Sequence, residues 1–175
     1  NPKLTCRLKG KTCRNPARII LDSRLTLDCS MEALRTDVTG KIIIATTKYA
    51  KPNMIKEVEK RASVIVTSKG SKVDIKELLS ILGQMEITSI LVEGGGEVNA
   101  SFLSERCVDK YYLYIAPILI GGREAPSAFG GEGIRKLSDA SQIIHSTIQH
   151  IGRDILLSGY SPDSVVKDHM SFCLK

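Results

Sequence analysis

Apolar positions in this chain fall into short unbroken runs through its first half and into runs of a different kind near its end. Lys41 to Thr46 is apolar through its centre and bounded by Gly40 and by Thr47-Lys48, the pattern of a strand buried on both faces. Arg18 to Leu21, Ser63 to Thr67 and Ser89 to Val92 are shorter runs closed by polar or glycine-rich residues, and they are predicted as strands. Between them the spacing changes to that of a helix. Pro52 to Arg61 puts Met54, Ile55 and Val58 on one face behind a proline suited to a first turn. Asp74 to Met85 puts Ile75, Leu78, Leu79 and Leu82 behind an aspartate N-cap. A third helix, Glu97 to Glu105, presents Val98, Phe102 and Leu103. Strand and helix in alternation predict a mostly parallel sheet covered by helices on both faces.

The end of the chain is organised differently. Tyr111 to Ile115 is a strand halted by Pro117, and residues 121 to 133 form a Gly- and Pro-containing loop that reads either as a mobile cover over a site or as plain surface. Two further strands, residues 144–151 and 154–158, are separated only by Gly152-Arg153, and so tight a connection forces an antiparallel hairpin. The expected fold class is α/β, a three-layer αβα sandwich on a mixed, mostly parallel sheet ending in that hairpin. A length of 175 residues suits one domain, here 1–160, with 161–175 as a peripheral tail.

Charge narrows the partners. The net charge of +6 admits a nucleic-acid surface or a site for a phosphorylated small molecule. The basic residues are scattered among acidic ones with no aromatic-basic signature, so the small molecule is preferred and no nucleic-acid role is expected. Cys6, Cys13, Cys29, Cys107 and Cys173 are odd in number and form no C-x-x-C, and His145, His150 and His169 are not at metal spacing. Neither a metal nor a disulfide framework is expected, and a reducing cytoplasm fits best. No apolar run approaches about 18 residues and no leader is visible, so a soluble protein is expected, not a membrane one. The chain opens at Asn1 with a strand close behind, which reads as a piece cut from a longer chain.

Val92-Glu93-Gly94-Gly95-Gly96-Glu97 concentrates the chemistry. Glycines where a strand yields to a helix let a ligand approach the backbone, and the helix start presents unpaired N–H groups at its positive end. Such a turn cradles a phosphate, or it is merely a tight turn; it is neither a Walker loop nor a G-x-G-x-x-G fingerprint. Glu93, expected at the carboxyl end of its strand, either hydrogen-bonds a pyrimidine or pterin N–H or caps the turn. Arg7 has the planar fork of a phosphate ligand, and Ser23 with Arg24 follows a strand end where a 2′-phosphate is read. Each also has a plain reading, a solvated arginine for Arg7 and an Asp22-initiated turn for Ser23-Arg24. Lys48 has the same ambiguity.

Several stretches in order then resemble one family. Residues 1–7 (NPKLTCR), 15–23 (NPARIILDS), 90–96 (ILVEGGG), Val108-Asp109-Lys110 with 114–117 (YIAP), Ile120-Gly121-Gly122, and 151–154 (IGRD) are similar to the reductase domain of the bifunctional riboflavin-biosynthesis deaminase/reductase. The resemblance implies a dihydrofolate-reductase-like fold and NADPH-dependent reduction of the ribose of 5-amino-6-(5-phosphoribosylamino)uracil to the ribitylamino product, without a metal. It implies substrate contacts at Leu4, Arg7 and Glu93, with Arg7 on the substrate phosphate. It further implies cofactor contacts at Ser23 and along Gly95, Gly96, Glu97, Val98, Asn99, Ala100 and Ser101. No catalytic acid or base is singled out. A homodimer is expected, as is a zinc deaminase fused in the parent chain, although the H-x-E and P-C-x-x-C signature of that half is absent here. The competing readings are a silent nucleotide-binding or assembly module and another dihydrofolate-reductase-like reductase.

Overall fold

The computed structural model describes residues 4–7, 10, 13–35, 37 and 39–164. The tail from 165 onward lies outside them. The length suggests one domain, yet the chain divides into two compact units, Asn1–Ser89 and Ile90–Lys175.

The first unit is built on three parallel strands, β1 (Arg18–Leu21), β2 (Ile42–Thr47) and β3 (Ser63–Thr67), in the order β1-β2-β3. Every residue of the central β2 is buried, which is why its sequence is an unbroken apolar run instead of an alternation. Successive side chains of β2 leave on opposite faces, and each face has its own core. Ile42 and Ile44 pack with Leu25, Leu34 and Val58, alongside Met54 and Ile55 of α1 (Pro52–Val58). Ile43 and Ala45 pack with Leu78 and Leu82 of α2 (Ile75–Gln84), with Val73 and Ile65 completing the cluster. Leu78 and Leu82 are each 1% exposed, and burial of such a side chain contributes about 2 kcal/mol.

The start of α2 is the one its sequence announces. Asp74 adopts extended backbone and its carboxylate accepts the Glu77 N–H at 2.9 Å, closing the first turn. Arg18 is 1% exposed at the head of β1, where its guanidinium donates to the Ala33 and Arg35 carbonyls at 3.0 Å each. These two bonds tie the short helix at Glu32–Leu34 to the sheet.

The second unit carries α3 (Gly96–Ser104), then β4 (Lys110–Ile115), β5 (Ile144–Ile151) and β6 (Asp154–Tyr160). These strands form an antiparallel sheet in the order β4-β6-β5. Ile151 pairs with Asp154 across the tight connection, where Gly152 takes φ +63°, so the hairpin forms as expected. Parallel strands and an antiparallel hairpin are thus both present, held in two three-stranded sheets.

One predicted strand is corrected. Residues 89–92 run without a ladder partner, and Leu91 is 73% exposed. An apolar run expresses a tendency to be covered, whereas a strand exists only where a neighbouring backbone completes its hydrogen bonds. No helix among the described residues is long and apolar enough to cross a membrane.

Candidate functional site

In the second unit the unpaired segment passes through Glu93 and three glycines into α3. Glu93, Gly94 and Gly95 are exposed. Each glycine is there for a different reason. A Cβ on Gly94 would lie 2.6 Å from the Cβ of Val98, so the incoming chain packs directly on the first turn. A Cβ on Gly96 would lie 2.7 Å from the Ser127 carbonyl oxygen and 3.0 Å from the Gly130 nitrogen, so a second segment packs on the other side. Gly95 faces open space, with nothing within 4 Å of an added Cβ.

Gly95 is also the N-cap. It holds extended backbone at φ −71° and ψ 175°, and no side chain caps the turn behind it. The first turn of α3 therefore keeps its positive end toward solvent, where the N–H groups of a helix start and the aligned peptide dipoles favour an anion. Asn99 N–H closes the first intrahelical bond on the Gly95 carbonyl at 3.1 Å.

The side chains along α3 are mostly engaged within the protein. Glu97 Oε1 accepts the Gly131 N–H at 2.9 Å, Asn99 Nδ2 donates to the Ala128 carbonyl at 2.9 Å, and Ser101 Oγ donates to the Glu97 carbonyl at 2.8 Å. Ala100 packs beside Gly131, and Val98 lies under Gly94. Of the seven residues from Gly95 to Ser101, what is offered to a ligand is the backbone of the turn. The segment Ser127–Gly131 is the part sequence reasoning missed. Its one signal is the Gly130-Gly131 doublet inside a loop that already looked like the cover of a site.

Ser23 lies in the first unit, at the carboxyl ends of the parallel strands. Its carbonyl accepts the Thr47 hydroxyl at 2.7 Å and the Thr47 N–H at 3.3 Å, and its own Oγ accepts the Val73 N–H at 3.3 Å. The hydroxyl keeps a proton to donate. The Asp22 turn expected as the plain alternative is present, its carboxylate accepting from the N–H groups of Arg24, Thr26 and Leu27. That turn and a ligand contact at Ser23 are compatible, because the Asp22 carboxylate bonds to Arg24, Thr26 and Leu27 and does not use the Ser23 hydroxyl. Lys48, exposed at the end of β2, rests 5.5 Å from the centroid of the Tyr49 ring. The carboxyl edge of parallel strands is where α/β sheets collect ligands.

Leu4 is half-buried at φ +49° and Arg7 is exposed. Asn15 holds their segment in place, its Oδ1 accepting the Cys6 N–H and its Nδ2 donating to Thr39 Oγ1, both at 3.0 Å. Residues 1–3, which open the first family-like motif, lie outside the described residues. Glu93 follows an extended, unpaired segment instead of closing a strand. Among the described residues no cluster of three or more His, Cys, Asp or Glu is arranged to hold a metal.

The architecture and the open glycine turn define a class, the dihydrofolate-reductase-like α/β proteins. The structure of RibD from Acinetobacter baumannii superposes with a TM-score of 0.71 over 91% of this chain and 43% of its own, at 22% identity. The Saccharomyces cerevisiae riboflavin biosynthesis reductase does so with a TM-score of 0.69 over 91% of this chain and 69% of its own, at 20% identity. Within that class, the chain belongs to the RibD C-terminal domain family, whose pattern matches residues 1–157. The riboflavin biosynthesis protein RibD of Bacillus amyloliquefaciens is 36% identical over 163 residues, covering 93% of this chain and 43% of that protein. The 2,5-diamino-6-ribosylamino-4(3H)-pyrimidinone 5′-phosphate reductase of Methanothermobacter thermautotrophicus is 31% identical over 158 residues, covering 90% of this chain and 72% of that protein. The chain thus spans less than half the length of the RibD protein it matches.

Proposed function

We propose that this chain is an NADPH-dependent reductase that converts the ribose of 5-amino-6-(5-phosphoribosylamino)uracil to the ribitylamino product in riboflavin biosynthesis. The observation that carries the reading is the uncapped start of α3, where Gly95 alone of three glycines faces open space in a chain of the RibD C-terminal domain family. Packing explains Gly94 and Gly96. Gly95 is explained by a ligand that needs the backbone bare.

The residues present fit the cofactor. Backbone N–H groups of the Gly95 turn, at the start of α3, would hold its diphosphate. When bound, NADPH supplies a hydride to C1′ of the ring-opened sugar. The chain's own part is to bind and orient, and Glu93, exposed just before that turn, would accept from a pyrimidine N–H. Nothing in this set requires a metal. The 43% share of the Bacillus RibD protein that this chain covers is consistent with a deaminase fused in the parent chain, and a cytoplasmic homodimer is part of the same proposal.

The test is NADPH oxidation by the parent protein with two substrates, the uracil compound and its 2,5-diamino counterpart for which the Methanothermobacter relative is named. Turnover of either with ribitylamino product establishes the reductase, and the preferred substrate sets whether reduction follows deamination. Tight NADPH binding with no turnover of either would overturn the proposal in favour of a nucleotide-binding module.

A further inference from the structure

Two side chains within the cofactor segment are directed at the protein, and both reach the same place. Asn99 bonds to Ala128, 29 residues away, and Glu97 bonds to Gly131, 34 residues away. Between these contacts the Gly130 N–H donates to the Gly96 carbonyl at 2.9 Å. The two backbones meet with no side chain between them. A Cβ on Gly130 would lie 2.8 Å from Glu97 Oε1 and 3.4 Å from the Glu97 nitrogen.

This is an expensive arrangement to build. The loop holds Gly121, Gly122, Gly131 and Gly133 at positive φ, so its unconstrained ensemble is broad and ordering it costs conformational entropy. The contacts that offset this cost come from the first turn of α3 itself. Glu97 is a carboxylate beside a helix start that favours anions, and left pointing along the helix axis it would compete with a phosphate. Bonded to Gly131, its charge is spent on the loop.

We infer that Glu97 and Asn99 are positioning residues that clasp the Ser127–Gly131 segment onto the start of α3, so that this segment forms one wall of the phosphate cradle and leaves Gly95 as the open side. The inference rests on the cofactor reading given above. It assigns these side chains to the loop, and the phosphates to the backbone.

Calorimetric titration of the protein with NADPH, combined with amide hydrogen exchange at Gly130 and Gly131, tests it. Glu97→Ala and Asn99→Ala are each expected to weaken NADPH binding about tenfold, the loss of one hydrogen bond to a charged or amide group. Because both hold one loop, the double variant is expected to lose about as much as either single one, the signature of coupled residues. The Gly130 and Gly131 amides exchange faster in every alanine variant. Glu97→Gln keeps an acceptor oxygen and restores binding to within about threefold of the unaltered protein. If Glu97→Ala does not fold, the near-isosteric Asn99→Asp, which replaces the donor by an acceptor, gives the same reading. Additive losses, an unchanged affinity in either alanine variant, or a glutamine variant as weak as alanine would overturn the clasp while leaving the cofactor proposal intact. Failure of the unaltered protein to bind NADPH would overturn both.

Discussion

The two helices α2 and α3 begin in opposite ways. Asp74 closes α2 with its own carboxylate on Glu77, and behind it Leu78 and Leu82 are fully buried. Gly95 begins α3 with no side-chain cap and with open space where a side chain would be, and the residues behind it reach sideways to a loop. Both starts carry the same orphan N–H groups and the same dipole. The core helix α2 has its first turn closed by its own N-cap, whereas α3 starts without a side-chain cap and its Glu97 and Asn99 bond to the Ser127–Gly131 segment.

The most direct way to break the contrast is to give α3 the cap that α2 has. Gly95→Asp should leave stability unchanged or raise it by a few tenths of a kcal/mol, because aspartate and glycine both serve as N-caps. NADPH affinity should nevertheless fall by about a hundredfold, since the new carboxylate takes the donors and repels the phosphates. Calorimetry and urea unfolding on the same variant check this, and a variant that still binds NADPH as before would show that the turn is not the cradle.

Gly94→Ala sharpens the distinction among the glycines. The added methyl would sit 2.6 Å from the Val98 Cβ, and the overpacking should cost about 1–3 kcal/mol in urea unfolding. Gly95→Ala, with open space and extended backbone, should cost far less in the same measurement. Uncapping the core helix comes next in size: Asp74→Ala should lower stability by about 1 kcal/mol, read as a shift of the urea midpoint, with a much smaller effect on NADPH binding than Gly95→Asp.

The smallest expected effect is on pH dependence, and it separates the two units. Burial pushes the Tyr111 phenol above its ordinary value of 10.0. The folded second unit therefore holds that proton more tightly than the unfolded chain, so the stabilisation is complete below pH 10 and is lost as pH rises through the folded value. In the first unit, the backbone N–H of Ser30 draws the exposed Asp28 carboxyl down and the Arg35 guanidinium draws Asp37 down, so their small contributions fade as the solution is acidified. Unfolding midpoints across pH, followed by a probe in each unit, should show alkali weakening the second unit and acid the first.

Much of the first unit is legible in the sequence. The unbroken run of β2, the stripe of α2 and the Asp74 cap are local signals, and each lies where the spacing put it. The glycine turn was equally visible, but its meaning was not, because three adjacent glycines look alike in a sequence and differ only in what stands opposite them. Ser127, Ala128 and Gly131 stand opposite α3 at separations of about thirty residues, and no periodicity carries that information. Residues 89–92 show the converse failure, an apolar run without the pairing partner that would make it a strand.

The sequence by itself determined the elements with local causes: which segments are helical, which are extended, where α2 begins, and, through ordered motifs, the family. Tertiary structure alone decided which glycine faces open space, which strands pair, and that Glu97 and Asn99 bond to a loop. The physical reason is range. Capping and periodicity act within a turn or two of chain, whereas packing and backbone pairing join groups that meet only after the chain has folded.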